Sequence, residues 1–140
     1  MARSAALIVL VDDDPDFLEL QKRILEQRGY RTRCFSAADE ALEAMRSEKP
    51  DLVLTDLMMS TLDAGFAFAR RLKEEPRLAD VPLIVITAIG PQRGLDLRPR
   101  SPADLAAMRA DAWFDKPVAP EALLSAIEEL LARRKAEGPP

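Results

Sequence analysis

Three apolar runs of strand length constrain the fold of this chain more than any other feature of its sequence. They are Ala6–Val11, Leu52–Thr55 and Pro82–Thr87, and none of them alternates apolar with polar residues. A strand without that alternation is typical of a parallel sheet covered on both faces. Parallel neighbours need long crossover connections, and helical patterns do separate these runs. The sequence therefore predicts an α/β fold.

The remaining elements complete a repeating strand–helix order. We predict an edge strand at Tyr30–Phe35 and a short fifth strand at Ala112–Asp115, with a long loop at Ala88–Arg100 before it. Caps and apolar periodicity predict five helices. The first begins at Asp14-Pro15 and closes at Gly29, and the second begins after Ser36. The other three span Leu62–Leu72, Ser101–Arg109 and Pro120–Arg134. Leu20 is placed on the buried face of the first helix.

These units together define the expected domain. Five strand–helix units in 140 residues predict a doubly wound, five-stranded, mainly parallel sheet with helices on both faces. Residues 1–134 are expected to form one domain, and residues 135–140, which are charged or Gly and Pro apart from one alanine, a flexible tail.

The composition excludes several classes of protein. The chain has no histidine, which removes histidine kinases, histidine phosphotransfer modules, Ser-His-Asp hydrolases and nearly all catalytic zinc sites. Its single cysteine, Cys34, cannot form an internal disulfide, which suits the cytoplasm. The net charge of −4 argues against direct binding of nucleic acid. No apolar run approaches the ~20 residues of a membrane span.

Acidic residues follow two of the buried strands, and a lysine follows the fifth strand. Asp12 and Asp13 come after the first strand, Asp56 after the third, and Lys116 after Asp115. Because the carboxyl ends of neighbouring parallel strands meet in one crevice, we expect these groups to converge. Crowded carboxylates repel one another, so the site calls for a hard divalent cation, and Mg²⁺ fits best. Carboxylates, a metal and a lysine are the groups that phosphoryl transfer needs.

Each of these residues also has an ordinary structural interpretation. A run of three aspartates before Pro15 is often only a helix N-terminus that gathers negative charge against its dipole. Asp56 could cap the segment that follows it, and Lys116 could be a solvated surface residue. The order of all the residues along the chain, rather than any one of them, favours the site.

Taken together, these residues resemble the receiver domain of bacterial two-component response regulators. The likeness runs from about Leu7 to Leu131. Its five parts are the Asp12-Asp13 pair, Asp56, Thr87 in Ile86-Thr87-Ala88, Lys116-Pro117, and Trp113 three residues before the lysine. The resemblance implies a stand-alone receiver domain with a flavodoxin-like sheet of strand order 2-1-3-4-5.

The resemblance also implies a role for each matching acidic residue. Asp56 would be the nucleophile that attacks a phosphohistidine and becomes an acyl phosphate. Asp13 and Asp56 would bind Mg²⁺ directly with the backbone carbonyl of Met58, while Asp12 would help through water.

The other matching residues would read out the phosphorylated state. Lys116 would neutralise a phosphoryl oxygen, and Thr87 would donate a hydrogen bond to the phosphoryl group. That group adds roughly −1.5 to −2 charge, enough to pull Thr87 and its loop inward. Trp113 occupies the place of the family's switch aromatic.

The expected partners follow from the same resemblance. The phosphoryl donor would be a histidine kinase or a histidine phosphotransfer protein. Only nine residues follow Leu131, so we expect no DNA-binding or enzymatic output domain in this chain, and the chain would act through an unknown downstream protein. It would be a cytoplasmic monomer or weak dimer, and would catalyse only its own phosphorylation and dephosphorylation.

Two other functions remain open at this level. Asp12-Asp13-Asp14 also satisfies the Asp-x-Asp start of haloacid-dehalogenase-like phosphatases, which would make the chain a turnover enzyme. Against this, the chain lacks their later acidic pair and any cap insertion. The chain could also be a protein-interaction module that is no longer phosphorylated, although its acidic set is complete.

Overall fold

The computed structural model describes residues 6–56, 64–87, 110–115 and 118–137, without the side chains of 64–66, 87, 115 and 134–137. The elements in chain order are β1 Leu7–Val11, α1 Pro15–Gln27, β2 Arg31–Phe35, α2 Ala38–Ser47, β3 Leu52–Thr55, α3 Ala64–Glu74, β4 Leu83–Thr87, β5 Ala112–Asp115 and α4 Pro120–Glu137. The predicted helix at Ser101–Arg109 and the loop at Ala88–Arg100 lie outside the described residues.

All five strands pair in parallel in the order β2-β1-β3-β4-β5. The predicted α/β fold class and the strand order implied by the resemblance are both confirmed. β2 lies at an edge of the sheet, as expected from its mixed composition, and its residues are exposed or half-buried. β1 pairs with β2 on one side and with β3 on the other, and β4 and β5 follow outward from β3, so β1 and β3 lie side by side.

Successive residues of the inner strands enter two separate cores. Val9 and Val53 belong to a cluster with residues of α2 and α3. Ile8 and Leu52 belong to a second cluster, with residues of α1 and α4, on the opposite face. Because side chains alternate across a strand, a sheet with a core on each face needs apolar residues at every position. This requirement explains the apolar runs that predicted the fold.

The first helix begins and ends as its sequence predicts. The Asp14 carboxylate accepts hydrogen bonds from the backbone N–H groups of Asp16 at 3.0 Å and Phe17 at 3.4 Å. Pro15 occupies the first turn, where no backbone donor is needed. Gly29 closes the helix with φ of +89°, a left-handed conformation that side chains disfavour.

Several finer predictions about the helices are wrong. Leu20 is 55% exposed, and α1 instead buries Leu18, Gln21 and Leu25. Ser36 does not cap α2, because Ala37 holds the cap position and no side chain bonds to the helix end. The last helix continues to Glu137, three residues past its predicted end and into the segment expected to be a tail. The division into a domain and a flexible tail stays a prediction.

Two aspartates fasten the amino ends of β1 and β4, at the opposite edge of the sheet from the predicted site. The Leu7 N–H donates to the Asp51 carboxylate at 2.7 Å, while the Asp51 N–H donates to the Leu7 carbonyl at 2.8 Å. Asp111 makes the same reciprocal pair with Leu83, with both distances 2.8 Å. These carboxylates satisfy backbone donors where the strand ladder starts, so their role is structural.

No helix in the described part of the chain is both long and apolar enough to cross a membrane.

Two leucines of α1 provide a matched test of the two-core arrangement. Leu25 is fully buried, whereas Leu20 is 55% exposed. We predict that Leu25→Ala lowers the free energy of unfolding by about 2–5 kcal/mol, because it leaves a cavity between α1 and the sheet. Leu20→Ala should change it by less than about 0.5 kcal/mol. Urea unfolding of both variants measures the difference, and equal losses would contradict the placement of α1.

Candidate functional site

The pairing of β1 with β3 determines where the acidic residues lie. Val11 at the end of β1 is in register with Thr55 at the end of β3. The next residue on each strand is an aspartate, so Asp12 and Asp56 leave the sheet side by side. The Asp56 N–H donates to the Val11 carbonyl at 3.0 Å, and the Asp12 N–H donates to the Phe35 carbonyl at 3.1 Å. The backbone of both residues is therefore fixed by the sheet itself.

Three carboxylates meet at this edge. One oxygen from each of Asp12, Asp13 and Asp56 lies within 4.8 Å of the other two. Asp12 and Asp56 are buried, with 2% and 4% of their surfaces exposed, whereas Asp13 is exposed. The convergence predicted from the sequence is confirmed for these residues, and the site is a partly buried acidic pocket that opens to solvent beside Asp13.

The three carboxylates are close enough to repel one another strongly. At a separation of 4.8 Å and an effective dielectric constant of about 20, two negative charges repel by about 3 kcal/mol. Solvent screens the pairs that involve exposed Asp13 more than it screens the pair of buried carboxylates. A divalent cation among the three oxygens would replace repulsion with attraction. Carboxylate oxygens are also the ligands that Mg²⁺ prefers, so the donor set fits that ion.

Asp12 has a second task besides its charge. Its Oδ1 accepts a hydrogen bond from the Asp14 N–H at 2.9 Å, which turns the chain from β1 into α1. That contact orients the Asp12 carboxylate and occupies one of its oxygens. The start of α1 directly follows, and the positive end of the helix dipole favours negative charge there. Sequence reasoning missed this contact, although an Asp two residues before a helix cap is a signal for such a turn.

The structure describes only part of the rest of the predicted site. The backbone of Thr87 ends β4 and is in register with Asp115, the residue before Lys116. Lys116, Met58 and the side chain of Thr87 lie outside the described parts of the chain. Their assignments as site residues stay predictions.

Trp113 lies in β5, two residues before the end of that strand. It is half-buried and packs against the core cluster on the side of α2 and α3. Its indole Nε1 is buried and finds no acceptor among the described residues. Trp113 is thus neither a solvated surface residue nor a fully packed core residue, and its role as a switch stays a prediction.

Two titratable groups outside the acidic pocket, Cys34 and Tyr30, have shifted pKa values. Burial raises the pKa of the Cys34 thiol on β2, so the neutral thiol is favoured in the fold. Burial, and to a smaller extent the negative charge of Glu128, raises the pKa of Tyr30. Neither residue belongs to the acidic pocket, and both pack against the core on the side of α1 and α4.

Comparison with known proteins identifies the class. Residues 8–128 match the family described as the response regulator receiver domain. The chain belongs to this family, which is a signalling module of two-component systems. This confirms the resemblance drawn from the motifs.

Curated relatives and solved structures agree with that membership. The chain is 31% identical over 137 residues to the transcriptional regulatory protein GltR of Pseudomonas aeruginosa, covering 95% of this chain and 52% of that protein. It is 31% identical over 130 residues to the response regulator Rre1 of Synechocystis, covering 92% and 53% respectively. The chain thus spans about half the length of these relatives.

A similar domain has been solved from Methanospirillum hungatei. This CheY-like response regulator receiver domain protein superposes with a TM-score of 0.82 and 28% identity, over 96% of this chain and 100% of that one. The signal receiver domain of a histidine kinase from Syntrophus aciditrophicus superposes with a TM-score of 0.74 and 31% identity, over 91% of each chain.

Removing one charge from the acidic pocket should stabilise the protein when no divalent cation is present. We predict that Asp13→Asn raises the free energy of unfolding by about 1 kcal/mol, or the Tm by about 3 °C, because it relieves repulsion from Asp12 and Asp56. The same variant should lose most of the rise in Tm that millimolar Mg²⁺ gives the unchanged protein. Thermal unfolding in chelator and in Mg²⁺ measures both effects.

The matched control for this experiment is Glu40→Gln. Glu40 carries the same charge in the first turn of α2, and its side chain is exposed. Its substitution should leave the Mg²⁺ effect intact. The pocket would not be the cation site if Asp13→Asn and Glu40→Gln responded to Mg²⁺ equally.

Proposed function

We propose that this chain is a phosphorylation-controlled switch or phosphorelay intermediate in which Asp56 accepts the phosphoryl group. The observation that carries this proposal is the position of the buried Asp56 carboxylate within 4.8 Å of Asp12 and Asp13, at the carboxyl edge of a receiver-domain sheet. Of the three, Asp13 is exposed, and Asp12 is engaged by the backbone of the α1 turn. Asp56 follows the central strand, where the sheet holds its backbone rigidly.

The donor is a phosphohistidine on a histidine kinase or a histidine phosphotransfer protein. In the transfer, a carboxylate oxygen of Asp56 forms a bond to phosphorus as the bond from phosphorus to the imidazole nitrogen breaks. The imidazole leaves with the electron pair of that bond and takes up a proton. The product is an acyl phosphate on Asp56, and no other covalent change is needed. Since the given sequence has no histidine, the phosphohistidine lies outside it.

Asp13 and Asp56 would hold Mg²⁺ in this proposal, with help from Asp12 and from the Met58 carbonyl, which is assigned by the family motif alone. The ion supplies positive charge that offsets the carboxylates and the incoming phosphoryl oxygens. Asp12 remains bound to the Asp14 N–H and so keeps the turn into α1 in place. The side chains that the structure does not describe are assigned by the family motif alone. They are Lys116, which pairs with a phosphoryl oxygen, and Thr87, which donates a hydrogen bond to it.

Trp113 transmits the change in this proposal. Its partly buried ring and its indole N–H, which has no described acceptor, support a side chain whose surroundings can rearrange. A buried donor without a partner is unfavourable, so a rearrangement that gives it an acceptor gains free energy. This is the physical basis for treating it as a switch aromatic.

The output of the switch is binding to a downstream protein. We place the chain in the cytoplasm, as a monomer or weak dimer, without direct contact to nucleic acid. The chain catalyses only the gain and loss of its own phosphoryl group, and is not a phosphatase that turns over external phosphomonoesters.

Phosphorylation with a small donor tests the proposal directly. Incubation with acetyl phosphate and Mg²⁺ should add a single phosphoryl group, seen by intact mass, because the acidic pocket holds both the nucleophile and the cation. Chelation of Mg²⁺ should reduce the adduct by at least about tenfold. Asp56→Asn should abolish it, since an amide cannot act as the nucleophile.

The matched control is Asp14→Asn. This change removes a carboxylate two residues from the Asp12 position, yet asparagine caps a helix as well as aspartate does. The adduct should therefore persist in Asp14→Asn. An adduct that survives in Asp56→Asn, or steady release of phosphate from phosphomonoesters, would contradict the proposal and favour a phosphatase. If acetyl phosphate forms no adduct, transfer from a phosphorylated histidine phosphotransfer protein tests whether Asp56 accepts a phosphoryl group. Failure of that transfer as well would indicate a binding module that is not phosphorylated.

A further inference from the structure

The last residue of β3 makes an unusual contact with the residue that follows it. The Thr55 hydroxyl donates a hydrogen bond to the backbone carbonyl of Asp56 at 3.1 Å. Thr55 is 2% exposed, so no solvent competes for this bond. The other three residues of β3 are aliphatic. Thr55 thus places the one polar side chain of the strand directly before the proposed nucleophile.

The contact completes the anchoring of the Asp56 backbone. On one side of the residue, the Asp56 N–H donates to the Val11 carbonyl at 3.0 Å. On the other side, the Asp56 carbonyl accepts the Thr55 hydroxyl. Thr55 itself is held between Val11 of β1 and Val85 of β4, in register with both. Both peptide groups that flank the Asp56 side chain are therefore tied to the centre of the sheet.

We propose that Thr55 is a positioning residue for the Asp56 nucleophile, acting through the Asp56 carbonyl. This inference rests on the proposed function and adds a residue to it. The hydroxyl fixes the peptide plane after Asp56, which restricts the directions that the carboxylate can take. It does not touch the phosphoryl donor, and its contribution is to hold the attacking oxygen in a productive geometry.

The alternative is that Thr55 serves only to fill the strand. β3 requires a β-branched or aliphatic residue here, and valine has nearly the shape of threonine and a higher apolar character. A buried hydroxyl in such a place is costly unless it is bonded, and here its bond goes to the nucleophile's own carbonyl. Shape and strand preference alone would therefore favour valine, and the substitution Thr55→Val separates the two roles.

The experiment measures the rate constant of phosphorylation by acetyl phosphate at saturating Mg²⁺, by intact mass. Thr55→Val keeps the shape and removes the hydroxyl, and should slow the reaction about three- to tenfold. Thr55→Ser keeps the hydroxyl and should stay within about twofold of the unchanged protein. Thr32→Val is the matched control, because it removes an exposed hydroxyl that bonds Glu26 at 2.8 Å, away from the pocket.

A second readout does not depend on phosphorylation. Amide hydrogen exchange at Asp56 should quicken in Thr55→Val and be restored in Thr55→Ser. The Val53 amide lies in β3, the strand that Asp56 follows, and donates to the Pro82 carbonyl at 3.0 Å. It is the internal reference, and its exchange rate should not change. A loss of protection from exchange that is confined to Asp56 shows that Thr55 anchors this residue locally. The comparison with Val53 separates this local effect from any general loss of stability in Thr55→Val.

The outcomes separate this inference from the proposed function. If the unchanged protein takes a phosphoryl group neither from acetyl phosphate nor from a phosphorylated histidine phosphotransfer protein, the proposed function fails whatever Thr55 does. If the unchanged protein is phosphorylated and Thr55→Val reacts at the same rate, the positioning role is overturned. The role is also overturned if Thr55→Ser is as slow as Thr55→Val, because the methyl group would then be the part that matters.

Discussion

Repulsion among three carboxylates at the carboxyl edge of the sheet is the main physical constraint on this fold. Asp12, Asp13 and Asp56 lie within 4.8 Å of one another, and two of them are buried. Like charges held this close repel one another, and the repulsion is stronger where burial limits screening by solvent. A divalent cation among the three oxygens would replace this repulsion with attraction, and carboxylate oxygens are the ligands that Mg²⁺ prefers.

The rest of the fold is arranged to hold these charges in place despite their repulsion. β1 and β3 are central strands with aliphatic side chains packed on both faces, so the ends of the two strands cannot move apart without opening two cores. Backbone hydrogen bonds carry this rigidity one residue beyond the strands, to Asp12 and Asp56. The turn into α1 and the Thr55 hydroxyl then orient the two buried residues further.

Most of the architecture and the acidic part of the site could be predicted from the sequence. Unbroken apolar runs indicate a sheet with two covered faces, and the order of strands and acids along the chain indicates which ends converge. Details that depend on tertiary packing could not be predicted in this way. Leu18 and Leu20 are both apolar and close in sequence, but the face of α1 that packs on the sheet includes Leu18 and leaves Leu20 exposed. The Thr55 contact was missed because threonine in a strand is ordinarily explained by its β-branched shape.

The most direct test of Asp56 as the phosphorylation site is a crystal structure of this chain grown with Mg²⁺ and beryllium trifluoride, a mimic of the phosphoryl group. We predict a cation in contact with Asp13 and Asp56, and the trifluoride joined to a carboxylate oxygen of Asp56. A cation bound elsewhere, or a trifluoride on any other residue, would contradict the assignment of this acidic pocket as the phosphorylation site.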